Sequence, residues 1–277
     1  MLTPFDHERD HLGLTYVYPV LSRRAGGVSV GINLNPNNAC NWRCAYCQVP
    51  GLVRGKAPPI DLALLEQELR GFLTVLQQGD WLLRHAPAGA RVLKDLAFSG
   101  NGEATSAVEF RDAVALVARL HDEFKLGAQV ATRLITNGSL LAQPRVQEGI
   151  RRLGAAGGEV WFKVDAGTPA AIARINGVKL APATIRHNLA QCAALCPTWV
   201  QTCVFRWGGS APTVAAIDAY LEVLAPALGS IRGVLLYGVA RPSMQPEAAH
   251  LSPLTAGEFE EIIKRIEGCG LVVKASA

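Results

Sequence analysis

Short apolar runs alternate along this chain with longer stretches in which apolar residues recur every three to four positions. The runs at 28–33, 92–99, 129–136, 159–165, 199–206 and 234–237 have the length and β-branched content of strands, and a shorter one at 271–274 lies near the C-terminus. Between them, 61–78, 106–124, 142–153, 182–195, 213–224 and 255–267 carry helical spacing, as in Leu62, Leu65, Leu69, Phe72, Leu73 and Leu76. Asp61, Ser106 and Thr255 stand where N-caps are needed, and Glu258 gives Thr255 a capping-box spacing. Strands separated by helices predict βαβ units and a parallel sheet. The expected fold is α/β: a partial (β/α)6 TIM-like barrel with parallel strands, with a doubly wound open sheet as the alternative. In either arrangement the functional loops follow the C-terminal ends of the strands.

Composition narrows the setting. The 277 residues, 49% of them hydrophobic, suffice for one core, read as a single domain over 1–277: an N-terminal extension 1–27, a core barrel 28–240, and a C-terminal helix and edge strand 241–277. No run reaches the ~18 apolar residues of a membrane span, so no membrane partner is expected. The charged N-terminus lacks the apolar stretch of a secretory signal, which points to the cytoplasm. Seven cysteines, an odd number, then read as metal or redox ligands before disulfides. The net charge of +4 is modest, but Arg23, Arg24, Arg43, Arg54 and Lys56 fall between positions 20 and 60 with no acidic residue among them. An anionic substrate or a nucleic-acid backbone near the cysteines is one reading of that stretch, and ordinary surface coverage is the other.

The chemistry concentrates just after the first predicted strand, where Cys40, Cys44 and Cys47 follow one another as C-x3-C-x2-C. Thiolates are the usual ligands of iron–sulfur clusters, and three on one short loop can each reach a different iron of a [4Fe–4S] cubane, leaving the fourth open to a ligand. Structural zinc wants a closed set of four ligands, and neither a second C-x2-C nor a histidine pair follows. Buried, unliganded cysteines are the remaining alternative. After the second predicted strand comes Ser99-Gly100-Asn101-Gly102-Glu103-Ala104-Thr105, a glycine turn that offers close backbone approach and a carboxylate suited to an ammonium.

The cysteine spacing, its position after the first strand, Tyr46 before the third cysteine, and the Gly100-Asn101-Gly102-Glu103 turn together resemble the radical S-adenosylmethionine superfamily. The stretches Ser22–Gly31, Phe98–Glu103, Ile135–Ser139 and the pair Asp165-Ala166 are similar to the subgroup of Fe–S oxidoreductases related to tRNA wyosine-base synthases, without a flavodoxin-like domain or an added basic extension. The resemblance covers the chain from about Tyr18 to Tyr237, and makes it a single radical SAM core domain. It implies a [4Fe–4S] cluster on Cys40, Cys44 and Cys47, and S-adenosyl-L-methionine bound by Tyr46, Gly100, Asn101, Gly102, Glu103, Thr136 and Asn137. It further implies that the amine and carboxylate of the cofactor's methionine chelate the open iron, and that an electron from an external donor such as flavodoxin or ferredoxin cleaves the cofactor. The resulting 5′-deoxyadenosyl radical abstracts hydrogen from a substrate held in a covered cavity, with the segments 20–31 and 50–59 as candidate covers.

Thr136 and Asn137 also read as an ordinary strand-to-loop turn. Lys163 and Asp165 alternate with Val164 and therefore share a face; if that face is the interior they are catalytic candidates, and otherwise a structural ion pair. Gln201, Arg206, Tyr237, Arg241, Asn33 and Asn35 are weaker candidates for substrate contact. Cys192, Cys196, Cys203 and Cys269 are too dispersed for a compact ligand loop and read as ordinary thiols, an auxiliary cluster being the alternative. RNA modification is the lesser reading beside a small-molecule or peptide substrate. A non-catalytic iron–sulfur carrier or sensor is the rival from another class, and such a protein has no need of the Glu103 turn.

Overall fold

The computed structural model describes residues 2–3, 13–22 and 25–276. Arg23 and Arg24 of the basic stretch, and most of the charged N-terminus, lie outside them. An eight-stranded sheet runs in strict chain order: β1 (Val17–Ser22), β2 (Gly27–Ile32), β3 (Leu93–Phe98), β4 (Ala131–Thr136), β5 (Glu159–Lys163), β6 (Thr198–Val204), β7 (Val234–Gly238) and β8 (Val273–Ser276). From β2 to β8 every neighbouring pair is parallel, and the strands follow one another without a reversal of order. That order is the partial barrel rather than the doubly wound sheet, which would place strands to both sides of the first.

One edge departs from the expected all-parallel set. Residues in the stretch expected ahead of the core form β1, antiparallel to β2, with Tyr18 opposite Gly31. Pro19 inside the run weakens the strand signal, and the edge of a sheet is where a strand tolerates proline. The closing strand β8 lies two residues later than the run expected at 271–274.

Helices α1 (Leu62–Gln78), α3 (Phe110–Glu123), α4 (Pro144–Ala155), α6 (Pro182–Leu195), α7 (Val214–Leu224) and α8 (Ala256–Glu267) fill the expected positions, and two short ones, α2 (Trp81–His85) and α5 (Pro169–Asn176), are additional. Asp61 caps α1, and Thr255 with Glu258 forms the full capping box of α8. Ser106 does not cap α3; it ends a 3-10 turn at Ala104–Ser106, and α3 starts at Phe110.

Alternation divides each strand between two environments. Val30, Ile32, Leu96, Phe98, Leu134, Val160, Phe162, Val200, Val204, Val234 and Leu236 point outward into the large core under the helices. Trp161, Trp199 and Leu235, with Ile135, point inward as a separate small cluster. Among the described residues, no helix is long and apolar enough to cross a membrane.

Glu68 of α1 fixes the antiparallel edge. Its buried carboxylate accepts from the backbone N–H groups of Thr15 and Tyr16 at 2.8 Å and of Val17 at 3.2 Å. Glu68→Ala leaves these three donors without their acceptor, so urea unfolding should show a loss of about 2–3 kcal/mol. Glu68→Gln keeps one acceptor oxygen and should lose less than half as much; equal losses would show that these bonds do not hold β1.

Candidate functional site

The cysteine loop leaves β2 at the C-terminal edge of the sheet and has little regular structure beyond a two-residue pairing of Ala39–Cys40 with Val53–Arg54, so some of its backbone groups are satisfied from outside. Two come from the C-terminal end of α5: Arg43 N–H donates to the Asn176 carbonyl at 3.1 Å and Ala45 N–H to the Ile175 carbonyl at 2.7 Å. Gly177 follows in the left-handed conformation (φ 63°), and a Cβ there would meet the Arg43 carbonyl oxygen at 2.5 Å. The Arg54 guanidinium bridges the Asn41 and Gly177 carbonyls.

On a second side, the segment after β7 straps the loop. Ser243 donates its hydroxyl to the Ala45 carbonyl at 2.6 Å, Met244 N–H reaches the Cys47 carbonyl at 2.9 Å, and Gln245 Nε2 reaches the Val49 carbonyl at 3.2 Å. Arg43 pairs with Glu247 at 2.8 Å, and Arg241 donates to Gln48 at 3.0 Å. On the third side lies the glycine turn after β3. Gly102 sits so close that a Cβ would overlap the Ala39 carbonyl oxygen and the Asn35 amide. The requirement for glycine at 102 thus comes from packing against the cysteine loop, where sequence reading assigned it to approach by a ligand.

Cys40, Cys44 and Cys47 open onto a cavity of about 290 Å3. Its lining brings together Tyr46, Gly100, Asn101, Gly102, Glu103, Thr136, Asn137 and Lys163, all singled out from sequence, with Tyr237 and Arg241. Tyr18, Val20 and Ser22 of β1 supply a wall, and Leu52 and Val239–Arg241 also line it. The stretch expected as a cover at 20–31 is therefore largely the β1–β2 hairpin.

Glu103 is buried and takes four hydrogen bonds. Oε1 accepts from Thr105 N–H at 3.2 Å and from the hydroxyls of Thr105 at 2.6 Å and Thr136 at 2.7 Å, while Oε2 accepts from Asn137 N–H at 2.7 Å. Burial raises its carboxyl above the usual range, against the pull of these donors. Thr136 is thereby engaged in fixing Glu103. The Asn137 side chain joins β4 to the cysteine loop, donating to Asn41 at 2.8 Å and accepting from Ser139 at 2.7 Å.

The Lys163 ammonium donates to the Tyr237 hydroxyl at 3.1 Å and lies 4.9 Å from the ring centre of Tyr46. Burial lowers its pKa, but the nearby Asp165 carboxylate and Tyr237 raise it further, and the net position is above the ordinary lysine range. Asp165 faces a second cavity of about 250 Å3, under α5, α7 and α8. Its Oδ2 accepts from the Tyr46 hydroxyl at 2.5 Å and from Asn176 Nδ2 at 2.7 Å, and its Oδ1 from Cys203 N–H at 2.9 Å. The geometry gives Asp165 the task of holding Tyr46, and Lys163 that of facing the cavity contents.

Asn176 is among the site residues that sequence reading missed. Its amide also lies 3.5 Å from Cys44 Sγ, and Trp42 N–H lies 3.4 Å from Cys40 Sγ. Burial pushes the Cys40 thiol up to about 12 and the Cys44 thiol to about 11, so both are protonated and weakly nucleophilic unless a metal takes the proton's place. Among the described residues no three Cys, His, Asp or Glu side chains converge tightly enough for a single metal ion. Asn33 and Asn35 brace the glycine turn from below, and Arg206 pairs with Glu258 at 2.5 Å outside the cavity. Cys192 and Cys196 are buried, Cys203 stands between the two cavities and Cys269 is exposed.

No protein-family model matches the chain. Two curated relatives, the UPF0026 proteins of Helicobacter pylori strains J99 / ATCC 700824 and ATCC 700392 / 26695, are each 30% identical over 134 residues, covering 48% of this chain and 38% of theirs. The match thus spans well under half the length of those relatives. Among solved structures, TYW1 with a lysine-pyruvate adduct bound superimposes with a TM-score of 0.57 at 16% identity, over 88% of this chain and 74% of that one. A radical SAM methyltransferase from Sphaerobacter thermophilus gives 0.60 at 13% identity over 94% and 68%, and anSMEcpe with bound AdoMet gives 0.56 at 14% over 88% and 63%. The chain has the fold of the radical S-adenosylmethionine enzymes, with its trio of cysteines on the loop that leaves the first parallel strand of the open barrel.

Proposed function

We propose that this protein is a radical S-adenosylmethionine enzyme, and the observation that carries the reading is the common cavity of the cysteine trio and the Glu103 turn. The donor set fits a [4Fe–4S] cluster: three thiols on one clamped loop, two of them approached by N–H donors of the kind that surround cluster sulfurs. Cys40, Cys44 and Cys47 would hold the cluster, and S-adenosylmethionine would lie between it and Glu103. When bound together, the two supply reductive cleavage of the cofactor to a 5′-deoxyadenosyl radical.

The chain's own residues then have distinct tasks. Glu103 Oε2 carries a single hydrogen bond and keeps a lone-pair direction for the cofactor's ammonium, while its other oxygen is locked by the two threonines. Tyr46, pinned by Asp165, presents a fixed aromatic face beside the cluster loop. Tyr18, Trp161 and Tyr237 line the walls, and the strap over the loop keeps bulk water and stray hydrogen donors from a reactive centre. An external one-electron donor of flavodoxin or ferredoxin type and a cytoplasmic setting complete the proposal.

Anaerobic reconstitution with iron and sulfide should give about four irons per chain, with S-adenosylmethionine and dithionite then yielding 5′-deoxyadenosine and methionine. Cys44→Ala should abolish both. Zinc at the thiols, or an intact cluster that yields no 5′-deoxyadenosine, would overturn the reading. Glu103→Gln should load its cluster normally but bind S-adenosylmethionine about 10- to 100-fold more weakly by equilibrium dialysis, the loss of one charge-assisted contact. Unchanged affinity would remove Glu103 from the cofactor site. Asn176→Leu deletes an N–H donor beside Cys44, and should shift the cluster's reduction potential to a more negative value in an EPR-monitored titration. An unshifted potential would leave Asn176 with only its bond to Asp165.

A further inference from the structure

Beneath the short helix α5 lies the second cavity, of about 250 Å3, of which the site described above uses only the Asp165 carboxylate at the inner end. Helix α5 turns Ala171, Arg174 and Ile175 toward it, three positions of one helical face. Helix α7 adds Ala216, Ile217 and Tyr220, and α8 adds Ile262 and Ile266. The deeper walls, such as Val204, Phe205 and Leu236, are buried, whereas Ala171, Ile175, Ala211 and Ala216 are only half-buried. Apolar wall is therefore left facing open space instead of other side chains. At the mouth, the half-buried Trp207 ring is held by the Arg174 guanidinium, 5.2 Å from its centre, and by the His250 ring, stacked at 6.0 Å.

The polar groups inside are already committed. The Thr202 hydroxyl donates to the Val164 carbonyl at 2.8 Å and accepts from the Tyr220 hydroxyl at 2.8 Å. Asp165 takes the Tyr46 hydroxyl, Asn176 Nδ2 and the Cys203 N–H, and its charge is offset by the nearby Lys163 ammonium. Ordered water needs two to four polar partners, and the interior of this cavity does not offer them. Apolar cavities take apolar molecules instead. One of about 150 Å3 holds benzene, so about 250 Å3 suits a bicyclic ring.

What lies above the cavity gives occupancy a consequence. A helix of eight residues is marginal by itself and keeps its place through what it packs against. The cysteine loop hangs from the end of that helix: the Ile175 and Asn176 carbonyls take the N–H groups of Ala45 and Arg43, and the Asn176 amide approaches Cys44 Sγ. Ile175 thus has its side chain on the cavity and its carbonyl on the loop.

We propose that this cavity is an effector site for an uncharged apolar molecule of bicyclic size, and that its occupant braces α5 and, through α5, the cysteine loop. The effect on a cluster rests on the radical-enzyme reading; the binding itself does not.

The probe is 1-fluoronaphthalene, followed by 19F NMR with the full chain, both unloaded and reconstituted without oxygen. It should bind saturably at one site per chain and raise the melting temperature. Its affinity should stay within about twofold when S-adenosylmethionine is saturating, because the cofactor belongs to the other cavity. Ala216→Phe, which puts a ring into the cavity from α7, should weaken binding by about tenfold or more. In reconstituted protein the saturating probe should slow loss of the cluster's visible absorbance to a chelator by at least about fivefold, and Ala216→Phe should slow it without the probe. Should Ala216→Phe fail to fold, Ser210→Trp on the exposed rim obstructs the mouth and should weaken binding alike. Absence of saturable binding, an unchanged affinity in these variants, or displacement of the probe by S-adenosylmethionine overturns the site. Saturable binding with an unchanged rate of cluster loss overturns the effector role. If the chain binds the probe as expected but takes up no iron, the radical-enzyme reading falls together with the effector role, and the binding site stands; an active cluster in a chain that binds no probe removes only the inference drawn from this cavity.

Discussion

Immobilising the backbone of a loop with almost no secondary structure is the constraint on which the site depends. Three thiols that must meet one inorganic group have to keep fixed mutual positions, and the loop that carries them is held partly by its own bonds, as from Val53 N–H to the Asn38 carbonyl and from Gly55 N–H to the Cys40 carbonyl, and partly from outside. Every buried N–H and C=O that the loop does not pair within itself needs a partner from elsewhere. The protein supplies such partners from the end of α5 and from the strap after β7, and the glycine turn after β3 packs against the loop from a third direction. Each arrives from a different βα unit. The loop geometry is therefore a property of the closed arrangement of strands, and a local change at Gly177 or Gly102 would reach the thiols through backbone contact.

Side-chain alternation along the parallel strands decides what else reaches the cavity. Outward positions are filled by aliphatic and Phe side chains that pack under helices, and that layer fixes the register of every strand. Inward positions are then left for chemistry at the C-terminal ends and for aromatic packing lower down. Lys163 shows the coupling. It stands one strand step above Trp161, facing the cavity because Phe162 and Val164 must face the core. Asp165 lies beyond the end of β5, and its carboxylate turns away to hold Tyr46 and Asn176.

Sequence made the cofactor side of the site readable because its determinants are short and contiguous: three cysteines in eight residues, and a glycine turn ending in Glu103. Most helices were readable for a related reason, since an amphipathic stretch of three turns repeats its signal, and caps such as Asp61 and Thr255 mark its start. What stayed hidden was set by contacts distant in the chain. β1 carries a proline and pairs with β2 as an edge strand, so its signal is weak by itself. Helix α5 has only eight residues, although Thr168-Pro169 and Gly177 do punctuate it in the usual way. Asn176 acquires its role solely from the fold, 132 residues from the cysteine it approaches. Ser243 and Gln245 sit in a segment without periodicity, and nothing local marks them.

Of the charged side chains that line the cavity, Glu103 and Lys163 differ in how far the protein itself satisfies them. Glu103 is held by four donors on rigid elements, so it is an acceptor already organised for a cation, and burial makes it more welcoming to one than a solvated carboxylate would be. Lys163 has a phenol and two ring faces, which keep a cation in place without neutralising it. Asp165 raises the affinity of Lys163 for its proton from a distance, yet is itself committed to Tyr46, Asn176 and the Cys203 backbone.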